Sequence, residues 1–221
     1  MQEKCETTYD KLKLEIEDFH SKILEPINSD KDISNLYKGW KVFYSPLIFR
    51  PDILFIGINP GNGEDGLDCE HYDKGELEYL TYNYTLANET KTVFEMAGKS
   101  ELLYNSVKTN YYYIATTEKN DIFKITDFLG RGDKEKLGEQ LLLKAREWTM
   151  KLIEMIEPKL IVCEGKEAFF NLTDLYTSGI SMTENVEQTF IEDLGIKVIG
   201  YKRRRSYIID KDGLSKVLHG L

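Results

Sequence analysis

Residues 51–62 read Pro-Asp-Ile-Leu-Phe-Ile-Gly-Ile-Asn-Pro-Gly-Asn, and this stretch decides the fold class. The apolar side chains between Ile53 and Ile58 form a short, nearly continuous run, which is typical of a strand buried on both faces. The run ends at Asn59-Pro60-Gly61, where proline fixes its own φ and glycine permits backbone angles that other residues adopt only at a cost. Such a strand end places Asn59 at the carboxyl edge of a sheet, where open α/β sheets bind their ligands.

Strand and helix patterns alternate along the rest of the chain. The other predicted strands are 107–116, 160–163 and 196–199. The predicted helices are a first helix that ends before Pro26, a helix at 88–98 with Asn88 as its cap, and helices at 134–156, 167–172 and 214–218. This alternation predicts an α/β fold with a parallel sheet and helices on both faces. Because no repeat or flexible linker divides the chain, we expect one domain over residues 1–221, with an N-terminal helix at 5–25 packed on it.

The composition predicts a protein of the cytoplasm. No apolar stretch approaches the ~20 residues of a membrane helix, and the charged N-terminal residues do not resemble a signal peptide. The cysteines are Cys5, Cys69 and Cys163, an odd number without a pairing pattern, which favours a reducing compartment.

The net charge of −9 argues against a broad nucleic-acid-binding surface, because an acidic protein repels the phosphate backbone. One segment is an exception. Between Lys197 and Lys211 the chain carries six basic residues and a single acid, Asp210. This distribution favours a localised contact with an anionic ligand.

The motif Gly57-Ile58-Asn59-Pro60-Gly61 at the end of a buried strand resembles the first motif of the uracil-DNA glycosylase superfamily, especially its mismatch-specific uracil/thymine branch. Thr109-Asn110 is similar to the end of the second strand of that family, and residues 158–168 are similar to its third strand and following helix. Val198-Ile199-Gly200-Tyr201 stands in the place of the fourth strand. The resemblance implies a three-layer α/β/α sandwich around a central, mainly parallel, four-stranded sheet.

The resemblance also implies an activity, namely hydrolysis of the N-glycosidic bond of a deaminated or mismatched base in DNA repair. Asn59 would hold the attacking water through its amide oxygen, and Asn110 would bind the edge of a pyrimidine. An extruded base also needs a pocket and a stacking surface, for which Tyr72, Tyr82 or Tyr84 is a candidate. We expect the backbone of the first motif to contact the ligand through Gly57, Ile58, Pro60 and Gly61.

The last motif departs from the family. In place of His-Pro-Ser the chain has Tyr201-Lys202-Arg203-Arg204-Arg205-Ser206, and its three histidines lie elsewhere. Lys202 or Arg203 could stabilise an anionic leaving base, or the arginines could bind backbone phosphates. We therefore count Arg203 as a candidate catalytic residue, and Lys202, Arg204 and Ser206 as candidate ligand contacts.

No metal or cofactor is predicted, since three scattered cysteines cannot ligate an iron–sulfur cluster. The predicted partner is DNA, a nucleobase or a nucleotide, with no membrane. Two alternatives to a glycosylase stay open. The first is a non-catalytic protein of the same fold that binds nucleotides or nucleic acid, which the missing histidine motif and the acidic net charge favour. The second is a hydrolase of a small molecule, with the polar segment 61–84 as its specificity lid.

Overall fold

The computed structural model describes residues 1–60, 76–131 and 136–221. Two compact units are present among them. The first unit comprises residues 1–42, 59–60 and the described part of 111–155. The second comprises residues 43–58, 76–110 and 156–221.

The helices of the described chain are α1 (Gln2–Asn28), α2 (Lys31–Leu36), α3 (Glu78–Thr81), α4 (Thr85–Met96), α5 (Asp121–Leu129), α6 (Leu137–Ile156), α7 (Lys166–Tyr176) and α8 (Lys211–His219). The strands are β1 (Tyr37–Trp40), β2 (Ile53–Gly57), β3 (Ser106–Asn110), β4 (Ile114–Thr116), β5 (Leu160–Glu164), β6 (Val186–Ile191), β7 (Ile196–Tyr201), β8 (Arg203–Arg204) and β9 (Tyr207–Ile208). Two short 3₁₀ turns precede β3 and β7, at Ser100–Asn105 and Glu192–Leu194. No helix of the described residues is long and apolar enough to cross a membrane.

The first unit contains α1, α2, α5, α6 and the antiparallel pair β1–β4. Helix α1 buries an apolar stripe with helical spacing, as its sequence predicts. Near its end His20, 2% exposed, stacks on the indole of Trp40 with ring centroids 5.2 Å apart. The indole of Trp148 on α6 lies 6.4 Å from the same imidazole. These rings form the aromatic centre of the unit.

The predicted end of the first helix is wrong by a few residues. Helix α1 passes through Pro26 and ends at Asn28. Because Pro26 lies in the last turn, its missing N–H removes a single hydrogen bond close to the end of the helix. The helix therefore continues where a proline in its interior would have broken it.

The second unit contains a five-stranded sheet in the order β3-β2-β5-β7-β6. Strands β3, β2, β5 and β7 are parallel, and β6 pairs antiparallel with β7 at the edge. The predicted four-stranded parallel sheet therefore matches four of these strands and misses the fifth. The reason is that β6 is half-exposed and reads Val-Glu-Gln-Thr-Phe-Ile, without the continuous apolar run of a buried strand.

Helices cover both faces of this sheet within the second unit. Phe55, Val162 and Ile199 on one face belong to an apolar core that also includes side chains from α3, α4 and α8. On the other face, the ring of Phe169 from α7 lies directly over Gly200 of β7. A β-carbon at Gly200 would overlap this ring, so glycine is required for the close approach of helix and strand.

Two further boundary predictions were wrong. The predicted strand 107–116 is divided into β3, which pairs with β2, and β4, which pairs with β1 in the other unit. The high strand propensity of the intervening tyrosines does not reveal that the chain bends there; all three are buried, as expected of core residues. Asn88 does not cap α4, which begins at Thr85; its side chain donates to the carbonyl of Asn83 from within the helix.

Candidate functional site

The parallel strands of the second unit end in one row of residues. Gly57 lies opposite Asn110, and Glu164 lies opposite Tyr201. Because Ile56 pairs with Cys163, Gly57 is also level with Glu164. We call Asn110, Gly57, Glu164 and Tyr201 the carboxyl-end row. It occupies the edge at which parallel α/β sheets bind ligands, and this edge is where the sequence predicted a site.

Within this row the side chain of Asn110 lies over Gly57. A β-carbon at Gly57 would overlap Asn110 Oδ1 and would lie 3.5 Å from Glu164 Oε2. Asn110 is only 5% exposed, yet none of the described residues forms a hydrogen bond with its side-chain amide. Buried amides in folded proteins normally have hydrogen-bond partners. Among the described residues, none therefore uses the donor or the acceptor of the Asn110 amide at the sheet edge.

A charge cluster shares Glu164 with this row. Lys108, Glu164 and Tyr79 are its buried members, and Glu78 and the partly exposed Tyr84 extend it. The Lys108 ammonium donates to Glu164 Oε2 at 2.6 Å and to the Tyr79 hydroxyl at 2.5 Å, and it lies 3.3 Å from Glu78 Oε1. The Tyr79 hydroxyl donates to Glu164 Oε1, and the Tyr84 hydroxyl donates to Glu78 Oε1 at 2.5 Å. The cluster thus ties α3 to the ends of β3 and β5.

The electrostatics of the cluster keep its tyrosines protonated. Burial, followed by the charge of Glu164, raises the pKa of Tyr79 well above its usual value. Burial is the largest cause that raises the pKa of Tyr84, and the negative charge of Glu78 is the second. Burial and Glu164 also raise the pKa of Tyr201 in the row. The hydroxyls of Tyr79 and Tyr84 are therefore hydrogen-bond donors to the carboxylates, and the ammonium of Lys108 lies between Glu164 and Glu78.

Asn59 belongs to the first unit, where its side chain has a fixed orientation. The Thr116 hydroxyl donates its one proton to the Glu118 carbonyl at 2.7 Å. It can therefore only accept from Asn59, whose Nδ2 lies 2.7 Å away. The same Nδ2 lies 3.4 Å from the Pro60 carbonyl. The amide nitrogen is thus engaged within the unit, and no described residue donates to Asn59 Oδ1.

The basic segment after β7 forms a small hairpin of β8 and β9. Arg203 pairs with Ile208, and Arg204 pairs with Tyr207. The Arg203 side chain turns inward, so that its Nε would lie 3.5 Å from a β-carbon at Gly165, the residue that follows the row at β5. No carboxylate of the described residues pairs with Arg203. Its guanidinium is thus a cation near the end of β5 that no described carboxylate neutralises.

The other predicted contact residues lie in several places. Ile58 is buried in the second unit, and the buried Pro60 accepts a hydrogen bond from the Thr116 N–H through its carbonyl. Gly61 and the candidate stacking residue Tyr72 lie outside the described residues. Lys202 donates from Nζ to the Thr183 carbonyl at 2.9 Å.

Tyr84 was predicted to stack on a base. Its ring lies 6.2 Å from that of Tyr79, and the residue is 39% exposed, so stacking of this ring on a base stays a prediction. Ser206 is half-buried in the hairpin loop, and Arg204 is exposed. Of the predicted contacts within the second unit, the structure brings Gly57 and Asn110 together directly.

Sequence reasoning missed Lys108 and Glu164, which are 6% and 2% exposed. A local signal exists for both: Lys108 interrupts a run of strand-forming residues, and Glu164 comes directly after the apolar run of β5. An acid or a lysine inside a buried strand rarely lacks a partner. The sequence does not reveal, however, that these two residues meet across β2.

Among the described residues, no group of three or more His, Cys, Asp or Glu side chains could hold a metal ion. The candidate site therefore consists of Gly57, the amide of Asn110 that lies over it, the charge cluster and the guanidinium of Arg203. No model of a known protein family matches this chain, and no curated protein matches it in sequence.

Proposed function

We propose that this protein is a uracil-DNA-glycosylase-like hydrolase, built as a three-layer α/β/α sandwich, that binds a nucleobase at the carboxyl-end row and cleaves its N-glycosidic bond. The observation that carries the proposal is the placement of Asn110, whose side chain lies over Gly57 at the carboxyl-end row and forms no hydrogen bond with a described residue. An amide offers one donating and one accepting group, which matches the adjacent N–H and carbonyl groups of a uracil edge. A bound base would form the hydrogen bonds that the described residues do not make with this amide.

Asn59 is the candidate for holding the attacking water. Thr116 fixes the plane of its amide, and no described residue donates to the Oδ1 that would accept from the water. An amide oxygen can orient a water molecule, but it is too weak a base to remove its proton in the ground state. Catalysis would therefore depend mainly on stabilising the departing base, whose nitrogen takes the electron pair of the broken bond.

Arg203 is the candidate for that stabilisation. Its guanidinium is a permanent cation without a carboxylate partner in the described chain, and it lies beside the residue that follows Glu164. A fixed positive charge that is not neutralised within the protein favours an anionic leaving group. This role would replace the histidine that the related motif carries elsewhere in the family.

The second candidate function is binding of a nucleotide or nucleic acid without cleavage. It is favoured by the segment 201–206, which contains three arginines and no histidine. The same guanidinium groups can bind phosphates without taking part in any reaction. This candidate function uses the same residues, Asn110 and Arg203, as the hydrolase. It differs only in that the N-glycosidic bond stays intact.

An assay of base release distinguishes cleavage from binding without cleavage. Single- and double-stranded oligonucleotides that contain uracil, hypoxanthine or a thymine mismatch are incubated with excess protein, and abasic sites are then cleaved with alkali. We expect product from at least one substrate, and loss of about 10²-fold or more in rate in Asn59→Ala and Asn110→Ala. Asn88→Ala is the matched control, because that asparagine is exposed on α4.

Thr116→Val tests the positioning of Asn59. It removes the acceptor for Nδ2 and keeps the shape of the side chain, so the rate should fall while substrate affinity stays unchanged. Absence of product from every substrate rejects cleavage. Binding that weakens in Arg203→Ala would then support the second candidate, and full activity of Asn59→Ala would reject the role given to Asn59.

A further inference from the structure

The two faces of the β8–β9 hairpin differ in character. In an antiparallel pair, residues directly opposite each other project to the same face. Ile208 is 5% exposed and its partner Arg203 turns toward Gly165, so this pair faces the protein. Tyr207 is 60% exposed and its partner Arg204 is also exposed. Together with the exposed Arg205 in the loop, these two residues form what we call the outer face of the hairpin.

The charges of the outer face are not neutralised within the described chain. Neither Arg204 nor Arg205 pairs with a described carboxylate. The acids close to the hairpin have other partners. Glu89 accepts hydrogen bonds from the Lys211 ammonium and from the Ile208 N–H. Asp210 caps α8 by accepting from the Gly213 N–H. In a chain of net charge −9 this face is a local excess of positive charge, and it favours an anionic partner.

Arg205 occupies a strained backbone conformation. Its φ is 55°, in the left-handed region, at the first position of the two-residue loop Arg205–Ser206. Glycine or asparagine is the usual residue at such a position, since other side chains adopt it at a cost. The hairpin thus presents a third consecutive arginine where local backbone preference favours a smaller residue.

We propose that the outer face of the hairpin binds single-stranded nucleic acid. Arg204 and Arg205 would contact consecutive phosphates, and an unpaired base would stack on the exposed ring of Tyr207. Cations beside an exposed aromatic ring are the combination with which proteins bind single strands without reading their sequence. A duplex keeps the faces of its bases stacked inside, so it can use the arginines and not the tyrosine. The proposal rests on the nucleic-acid ligand of the proposed function and does not require cleavage.

The test measures fluorescence anisotropy of the full chain with labelled oligomers of about 12 nucleotides, a length within the usual footprint of such surfaces. The oligomers are oligo-dT, oligo-U, an abasic DNA strand and a DNA duplex. Tyr207→Ser should weaken binding of oligo-dT about 5- to 100-fold and leave binding of the abasic strand unchanged. The matched control is Tyr104→Ser, since Tyr104 is 72% exposed in the same unit and lies outside the hairpin. Arg204→Gln should weaken binding of every oligomer and flatten its dependence on salt.

Arg205→Gly distinguishes a loss of binding caused by the lost charge from one caused by a less stable fold. It relieves the left-handed strain, so the midpoint of thermal unfolding should rise while the affinity for oligo-dT falls. Binding of oligo-dT, of oligo-U or of both that depends on Tyr207 supports the proposal. The comparison of the two oligomers also shows whether the outer face accepts deoxyribose, ribose or both. The proposal is overturned if Tyr207→Ser and Tyr104→Ser bind oligo-dT equally well, or if the duplex binds as tightly as the single strand. Absence of base release together with Tyr207-dependent binding would reject only the hydrolase.

Discussion

Replacing Lys108 by methionine tests the buried charge cluster. The substitution keeps the length of the side chain and removes the only cation between Glu164 and Glu78. The Lys108 and Glu164 side chains are 7% and 1% exposed, so the carboxylate left behind cannot be rehydrated without opening the structure. Removing one partner of a buried ion pair costs about 3–5 kcal/mol, against a total stability of about 5–15 kcal/mol for a typical domain.

Lys159→Met is the matched control. Lys159 forms an ion pair of the same length, 2.6 Å, with Asp52 in the same unit, but its side chain is 66% exposed. Exposed pairs contribute about 0–1 kcal/mol. Equilibrium unfolding in urea should therefore show a large loss of free energy of unfolding for Lys108→Met and a small one for Lys159→Met. The difference between the two variants isolates burial, because the substitution and the ion-pair distance are the same.

A double variant sharpens the result. Lys108→Met/Glu164→Gln should be more stable than Lys108→Met, because it no longer buries the carboxylate of Glu164 without its cation. The reasoning is refuted if Lys108→Met loses no more stability than Lys159→Met.

Three other predictions concern stability. Burial lowers the pKa of His20 to about 3, so the unfolded chain takes up a proton between pH 6.5 and 3 that the folded protein does not. The contribution of His20 to the free energy of unfolding is therefore fully present above pH 6.5 and decreases as the pH falls. In urea titrations between pH 7 and about 4.5, the protein should lose about 2–3 kcal/mol more of its free energy of unfolding than His20→Phe loses. Equal losses in the two proteins would contradict the prediction. Gly200→Ala should cost about 1–3 kcal/mol by overlap with the ring of Phe169, whereas Gly220→Ala, with neighbouring atoms at ordinary contact distance, should change the same unfolding curve little. Asp30→Ala should lower the free energy of unfolding by about 1 kcal/mol, because the Asp30 carboxylate accepts two backbone N–H groups at the start of α2; an unchanged unfolding midpoint would argue against this cap.

The sequence alone determined the parallel core of the sheet. The apolar runs of β2, β5 and β7 are long enough to need burial on both faces, and each ends at a glycine, a proline or a polar residue that stops the strand. The sequence also predicted that the carboxyl ends of these strands meet at one edge, and Gly57 and Asn110 are register partners there. Strand β6 could not be predicted from the sequence, because a half-exposed edge strand has no hydrophobic pattern that distinguishes it from a loop.

Only the tertiary structure decided how the polar groups are used. Lys108 and Glu164 are 56 residues apart in the chain, and their ion pair exists because the register of β3, β2 and β5 brings them together. The orientation of the Asn59 amide likewise depends on a hydroxyl 57 residues away. Local sequence fixes which residues prefer a strand or a turn. Which side chains then keep or lose their hydrogen-bonding capacity depends on strand register, and register is a property of the whole sheet.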